Sequence, residues 1–299
     1  MTDLGRVSLD PMPETELAAW ATARSEAGDP LPTPGPTETH EALRAVIDGT
    51  VAGGVLLAHH APGGHATTEV RQVHTPLPVT DTATWTALIA ALEDHAQRRG
   101  TRTLVVAVPP ALVAGLQDRG WTTTLARWAK RLDPAGATEL QDDRRVALRP
   151  MTDDERARFA AEAGEVLRAG MLRAGVLVDE AAPVGALEQR LAGLGAPECP
   201  VDEVLLTAEV DGVEVGRAWL SLVRDGEAVD VHGQHMELYD AFRGQRLTPS
   251  LVGALRRVAH EHGARDVQIR VYGHARGAHA TYRREGAHLD LVHLRRELD

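Results

Sequence analysis

The sequence has 299 residues, 43% of them hydrophobic and 25% charged, with a formal net charge of −11. That length predicts two domains of about 150 residues, and the negative charge repels a phosphate backbone, which argues against nucleic-acid binding. No apolar run approaches the roughly 18 residues that span a bilayer, and the N-terminal stretch lacks the basic and apolar segments of a secretory signal, so a cytoplasmic protein off the membrane is expected.

In chain order, the spacing predicts a helix from Glu14 to Ala27, stopped by Gly28, then a proline-rich loop and a short helix around Glu38 to Ile47. "TVAGGVLLAHH" and "TTEVRQVH" read as strands joined through the glycines of "APGGHA". Trp85, Leu88, Ile89, Leu92 and His95 recur at spacings of three and four, one face of a helix ended by Gly100. "RTLVVAV" is a buried strand, "ALVAGLQDRG" a helix and "WTTTLARWAKRLD" a strand. The second half repeats the plan. A strand "RRVALRPMT" and two helical stretches, "DDERARFAAEAGEVLRAG" and "EAAPVGALEQRLAGL", precede three strands joined at the turn dipeptides Asp211-Gly212 and Asp225-Gly226. A helix with Leu251, Val252, Leu255, Val258 and Ala259 on one face follows, then the strand "DVQIRVY", the helix "GAHATYRREG" and the strand "HLDLVHLRREL".

The halves align. "HGARDVQIRV" answers "RGTRTLVVAV", and at one offset Tyr282, Gly286, Leu291 and Leu298 answer Leu116, Gly120, Leu125 and Leu132. We read an internal duplication, residues 1–138 and 139–299, with linker composition in "DPAGATELQDD". The single cysteine, Cys199, lies between prolines in a loop, excludes an internal disulfide and has no histidine beside it to activate it.

A meander, a glycine-bearing loop into a helix, a further strand, and a tyrosine-bearing helix before the last strand resemble the GNAT (GCN5-related N-acetyltransferase) superfamily. The resemblance is carried by "AEVDGVEVGRAWLSLV" and "MELYDAFRGQRLTPSLVGALRRVAHEHGARDVQIRVYGHARGAHATYRREGA". It covers nearly all of the second half and extends weakly to the first, in a tandem layout similar to that of mycothiol synthase. It implies an α+β fold of two GNAT-like domains, each a central, mostly antiparallel sheet flanked by helices. It further implies an acyltransferase that uses acetyl-CoA or another acyl-CoA, with a small amine as acceptor and no metal. The first half, with Leu116 at the tyrosine position and no glycine in "HTPLPVTDTATW", is expected to be a degenerate structural partner. Since the duplication supplies the pairing other members reach by dimerising, a monomer or weak homodimer is expected. The arginine-, alanine- and glycine-rich composition suggests a bacterial source, and a biosynthetic role is expected.

By the same resemblance, the pyrophosphate loop has the form Arg/Gln-x-x-Gly-x-Gly/Ala, with backbone N–H groups holding the phosphates. Here the window is Arg243-Gly244-Gln245-Arg246-Leu247-Thr248, with Arg246 and Thr248 in place of small residues. Thr248 before Pro249 reads as an N-cap that spends one helix N–H on its own hydroxyl. Tyr282 matches the family's thiolate-protonating tyrosine, a strand N–H near Leu238 suits the oxyanion, and His235 and Glu237 lie where a general base is drawn. A period of two puts these last two on one face, so either can be base and the other its orienter. His232 joins them as a metal set only through a bulge at Gly233. Two other readings stand beside this one: a repurposed GNAT-fold enzyme that does not use CoA, doing lyase or isomerase chemistry, and a catalytically silent metabolite- or partner-binding tandem domain.

Overall fold

A computed structural model describes residues 7–26, 31–35, 37–61, 64–75, 80–133, 145–177, 185–196 and 199–298. The sequence-predicted linker, the stop at Gly28 and most of "HTPLPV" lie outside the described residues. Among the described residues no helix is long and apolar enough to cross a membrane.

The chain forms two compact units, Met1–Thr124 with Gly175–Pro183 and Leu291–Asp299, and Leu125–Ala174 with Val184–Asp290. In unit 1, β1 (Val7–Pro11), β2 (Thr39–Ile47), β3 (Thr50–His60) and β4 (Thr67–His74) run antiparallel in that order, and β5 (Thr103–Val108) joins β4 in parallel. Helix α1 (Glu14–Glu26) follows β1, α2 (Thr82–Arg98) follows β4, and a short α3 (Val113–Gln117) follows β5. Unit 2 repeats this. Strand β7 (Ala147–Pro150) leads into α4 (Asp153–Ala174) and α5 (Gly185–Gly195), then the meander β8 (Glu203–Val210), β9 (Val213–Asp225) and β10 (Ala228–Leu238). Helix α6 (Thr248–Glu261) carries the chain to β11 (Ala264–Tyr272), parallel to β10, and α7 (Arg276–Arg284) follows.

The last strand of each half completes the sheet of the other. Strand β6 (Thr122–Arg131) runs antiparallel to β11 with Ile269 opposite Trp128. Strand β12 (His288–Glu297) runs antiparallel to β5 with Val106 opposite Leu294. These registers coincide under the alignment of the repeats, down to the closing bonds Leu132 N–H to Arg265 C=O (2.9 Å) and Leu298 N–H to Arg102 C=O (2.7 Å). Most of β6 thus falls in the second compact unit and most of β12 in the first, and Gly175–Pro183 also belongs to the first.

The helix expected over Glu38–Ile47 is strand β2. Alanine, leucine and arginine favour a helix weakly, but here the segment pairs on both edges and sends Leu43 and Ala45 into the core, 0% and 2% exposed. The signal was present in Asp48-Gly49, whose positive φ values of 49° and 82° make the two-residue hairpin that Asp211-Gly212 repeats at 51° and 77°.

The unit 2 sheet is covered on both faces. On one, Phe159 and Leu167 of α4 and Leu191 and Leu194 of α5 pack on Leu205 and Trp219. On the other, Leu251 and Ala259 of α6 pack with Val215, Val231 and Ala218, and Tyr282 of α7 packs with Val252 and Val271. Helix α4 starts on a reciprocal cap: Glu155 accepts from Thr152 N–H (2.7 Å) and Thr152 Oγ1 accepts from Glu155 N–H (3.3 Å).

Candidate active site

Strands β10 and β11 pair from Val229 only as far as Gly233, opposite Ile269, and then separate. On its other edge β10 stays paired with β9 through Leu238, past a bulge between Gly233 and His235. A fork is thus open in the middle of the sheet, bordered by residues 235–238.

The alternation of β10 sends its side chains to opposite faces of that fork. His235 and Glu237 face α4: the His235 ring lies 5.9 Å from Phe159, and Glu237 accepts a hydrogen bond from Arg217, whose guanidinium also reaches Glu162 of α4 at 2.8 Å. Met236 faces the other way, into the cluster of Val252 and Tyr282. The predicted base and acid therefore sit on opposite faces, joined through the fork.

His235 Nε2 is 3.6 Å from Glu237 Oε1. With Arg217, it holds the Glu237 carboxyl well below its ordinary 4.5, at about 2. A carboxylate so stabilised is a weak proton acceptor. Tyr282 is 5% exposed among apolar side chains, and burial pushes its phenol up to about 12, which keeps it protonated. Tyr239 donates its N–H to Val215 of β9 (2.9 Å), so the extended backbone turns the N–H of Leu238 away from β9, towards the open side of the fork.

The loop also differs from its sequence reading. Helix α6 begins at Thr248 itself, its N-cap position is Leu247, and no side chain caps it. The correction follows from geometry: Thr248 already lies within the first helical turn, where its hydroxyl does not meet the N–H groups an N-cap would satisfy. Among the described residues, no side chain accepts from the first N–H groups of α6. Arg246 holds φ at 59°, the left-handed conformation that glycine adopts freely. The loop keeps a glycine's backbone shape under an arginine side chain. Arg243 is paired with Asp240 at 2.6 Å and donates to Leu238 C=O (3.2 Å), Gln245 donates to Ala241 C=O (3.0 Å), and Arg145 donates to Arg246 C=O (2.9 Å).

Three residues escaped the sequence reading. A Cβ on Gly216 would lie 2.2 Å from the Glu237 carbonyl oxygen, so only glycine lets β9 approach there. Arg217, 8% exposed, and Glu162 hold Glu237 in place. An arginine alternating with Trp219 and Ser221 inside a central strand was the available signal. Below them, a shallow open pocket is lined by Glu155, Arg158, Glu162, Glu214, Arg217 and Tyr239 among others.

The bulge places His232 on the face of His235 and Glu237, yet among the described residues no three His, Cys, Asp or Glu side chains gather closely enough to hold a metal. In unit 1, His74 stands where Glu237 does: a Cβ on Gly53 would lie 2.0 Å from the His74 carbonyl oxygen. The α2 N-terminus is filled by Asp81, which accepts from Thr84 N–H at 3.1 Å. His59 of the first hairpin is tied to Glu41 (3.0 Å) and Thr68 (2.9 Å).

No family profile and no curated protein matches the chain. Solved structures do. A GNAT-family acetyltransferase from Colwellia psychrerythraea is 11% identical with a TM-score of 0.51, over 98% of this chain and 100% of that one. A GCN5-related N-acetyltransferase from Sphaerobacter thermophilus is 16% identical with a TM-score of 0.50, over 98% and 96%. A tandem GNAT protein from the clavulanic acid biosynthesis pathway is 16% identical with a TM-score of 0.49, over 98% and 99%. The chain thus carries the GNAT fold, in two units within one polypeptide.

Proposed function

We propose that unit 2 transfers an acyl group from an acyl-CoA to the amine of a small metabolite. The observation that carries this is the fork: His235 and Glu237 border it on one face and Tyr282 on the other, so donor and acceptor can meet through the sheet from opposite sides. The uncapped start of α6 and the exposed Arg246 suit a pyrophosphate there. The pocket on the α4 side, lined by charged side chains, suits a small polar acceptor.

In this reading His235 accepts the amine proton, and Glu237, already bonded by Arg217, orients the imidazole. The nitrogen attacks the thioester carbonyl, Leu238 N–H stabilises the oxyanion, and Tyr282 protonates the departing thiolate. Unit 1, with Leu116 and Asp81 in the corresponding places, acts as a structural partner. Heat denaturation with acetyl-CoA tests the donor, since ligand at about 100 times its dissociation constant adds roughly 2.7 kcal/mol. A midpoint unmoved by any acyl-CoA would refute the donor and favour a repurposed enzyme.

A further inference from the structure

We propose that Arg270, with His232 beside it, is the seat for an anionic group, a carboxylate or a phosphate, carried by the acceptor; this rests on the acyltransferase reading of the same fork. Arg270 is the first residue of β11 beyond the last paired position, Gly233 opposite Ile269. Its face is fixed by its neighbour two residues on: Tyr272 donates to Leu167 C=O of α4 (3.3 Å). Arg270 therefore projects on the side of His235 and Glu237.

Its charge is unanswered. The register sets Arg270 directly opposite Arg127 of β6, a like-charge pair that costs stability unless neutralised. Arg127 is neutralised by Asp290, at 2.5 and 2.6 Å, and Arg190 on α5 by Glu203 at 2.6 Å. Among the described residues Arg270 has no hydrogen-bond or ion-pair partner; the protein atoms around it strip part of its hydration, yet it keeps an exposed surface. Burial and the fields of Arg127 and Arg190 lower its pKa, and burial with Arg270 lowers that of His232. In a chain of net charge −11, this leaves a planar cation at the fork for a group that neutralises it in two parallel hydrogen bonds.

The test needs no acyl-CoA. The denaturation midpoint is measured at fixed ionic strength with amino acids from glycine to 6-aminohexanoate and with phosphoethanolamine, against the corresponding amides and ethanolamine. Carboxylates or phosphoethanolamine are expected to raise the wild-type midpoint, identifying which anion is seated, while the uncharged analogues leave it unmoved. Arg270→Gln is expected to weaken that binding at least tenfold, and Arg270→Lys to retain part of it. Equal response to the uncharged analogues, unchanged binding by Arg270→Gln, or no response to any anion would each overturn the proposal. Acetyl-CoA binding without anion binding removes this seat alone; anion binding without any acyl-CoA response removes the acyltransferase reading and leaves the seat.

Discussion

Replacing Arg246 by glycine separates two effects that the loop combines. At φ 59° a residue with a Cβ pays roughly 1–2 kcal/mol relative to the right-handed region. Glycine removes that strain but loses about 0.5–1 kcal/mol of backbone entropy on folding, so Arg246→Gly is expected to stabilise the protein by up to about 1 kcal/mol, raising the midpoint by about 2 °C. The guanidinium is exposed, and a contact from it to phosphate is worth about 1 kcal/mol after solvent screening. Acetyl-CoA is therefore expected to bind about fivefold more weakly in calorimetric titration, although the variant is the more stable protein. Tighter binding would mean that the side chain obstructs the loop, and the role of Arg246 proposed here would be wrong.

Gly216→Ala is expected to reduce acyl transfer at least tenfold, because the added Cβ displaces the backbone of Glu237; activity equal to wild type would show that the strand's position does not matter. Gly253→Ala, in α6 with only the Arg257 side chain at 3.9 Å, is expected to gain about 0.5–1 kcal/mol in denaturant unfolding. Glu93 is 8% exposed and accepts from Trp121 (2.8 Å), Arg119 (2.9 Å) and Arg296 on β12 (2.5 Å). Removing it in Glu93→Leu is expected to cost about 2–3 kcal/mol, below the full buried-pair penalty because both arginines are partly exposed. Glu155 and Glu237 titrate near 2 in the fold against an ordinary 4.5. The stability they contribute is full above about pH 4.5 and is lost as pH falls towards 2; Glu155→Gln should flatten that limb of the stability profile.

Much of the plan was legible in the sequence. The three-strand meander, the long helices and the repeat follow from local periodicity and turn dipeptides, and these survive folding because they are local. The segment Glu38–Ile47 was misread because its composition favours a helix while its place between β1 and β3 makes it a strand; weighing Asp48-Gly49 against the repeat would have corrected it. Of the candidate site the sequence offered residue types alone: Glu237, His235, Tyr282 and the Arg243 window.

What the sequence determined alone was therefore the duplicated order of elements and the chemistry available on them. Tertiary structure decided the rest, because each remaining feature depends on pairing between distant segments. Only the register of β10 against β11 opens the fork, only β9 brings Arg217 and Gly216 against Glu237, and only backbone geometry shows Arg246 in a glycine's conformation. The exchange of β6 and β12 belongs to the same class: related repeats offer each last strand two similar edges, and periodicity within a strand does not say which edge it joins.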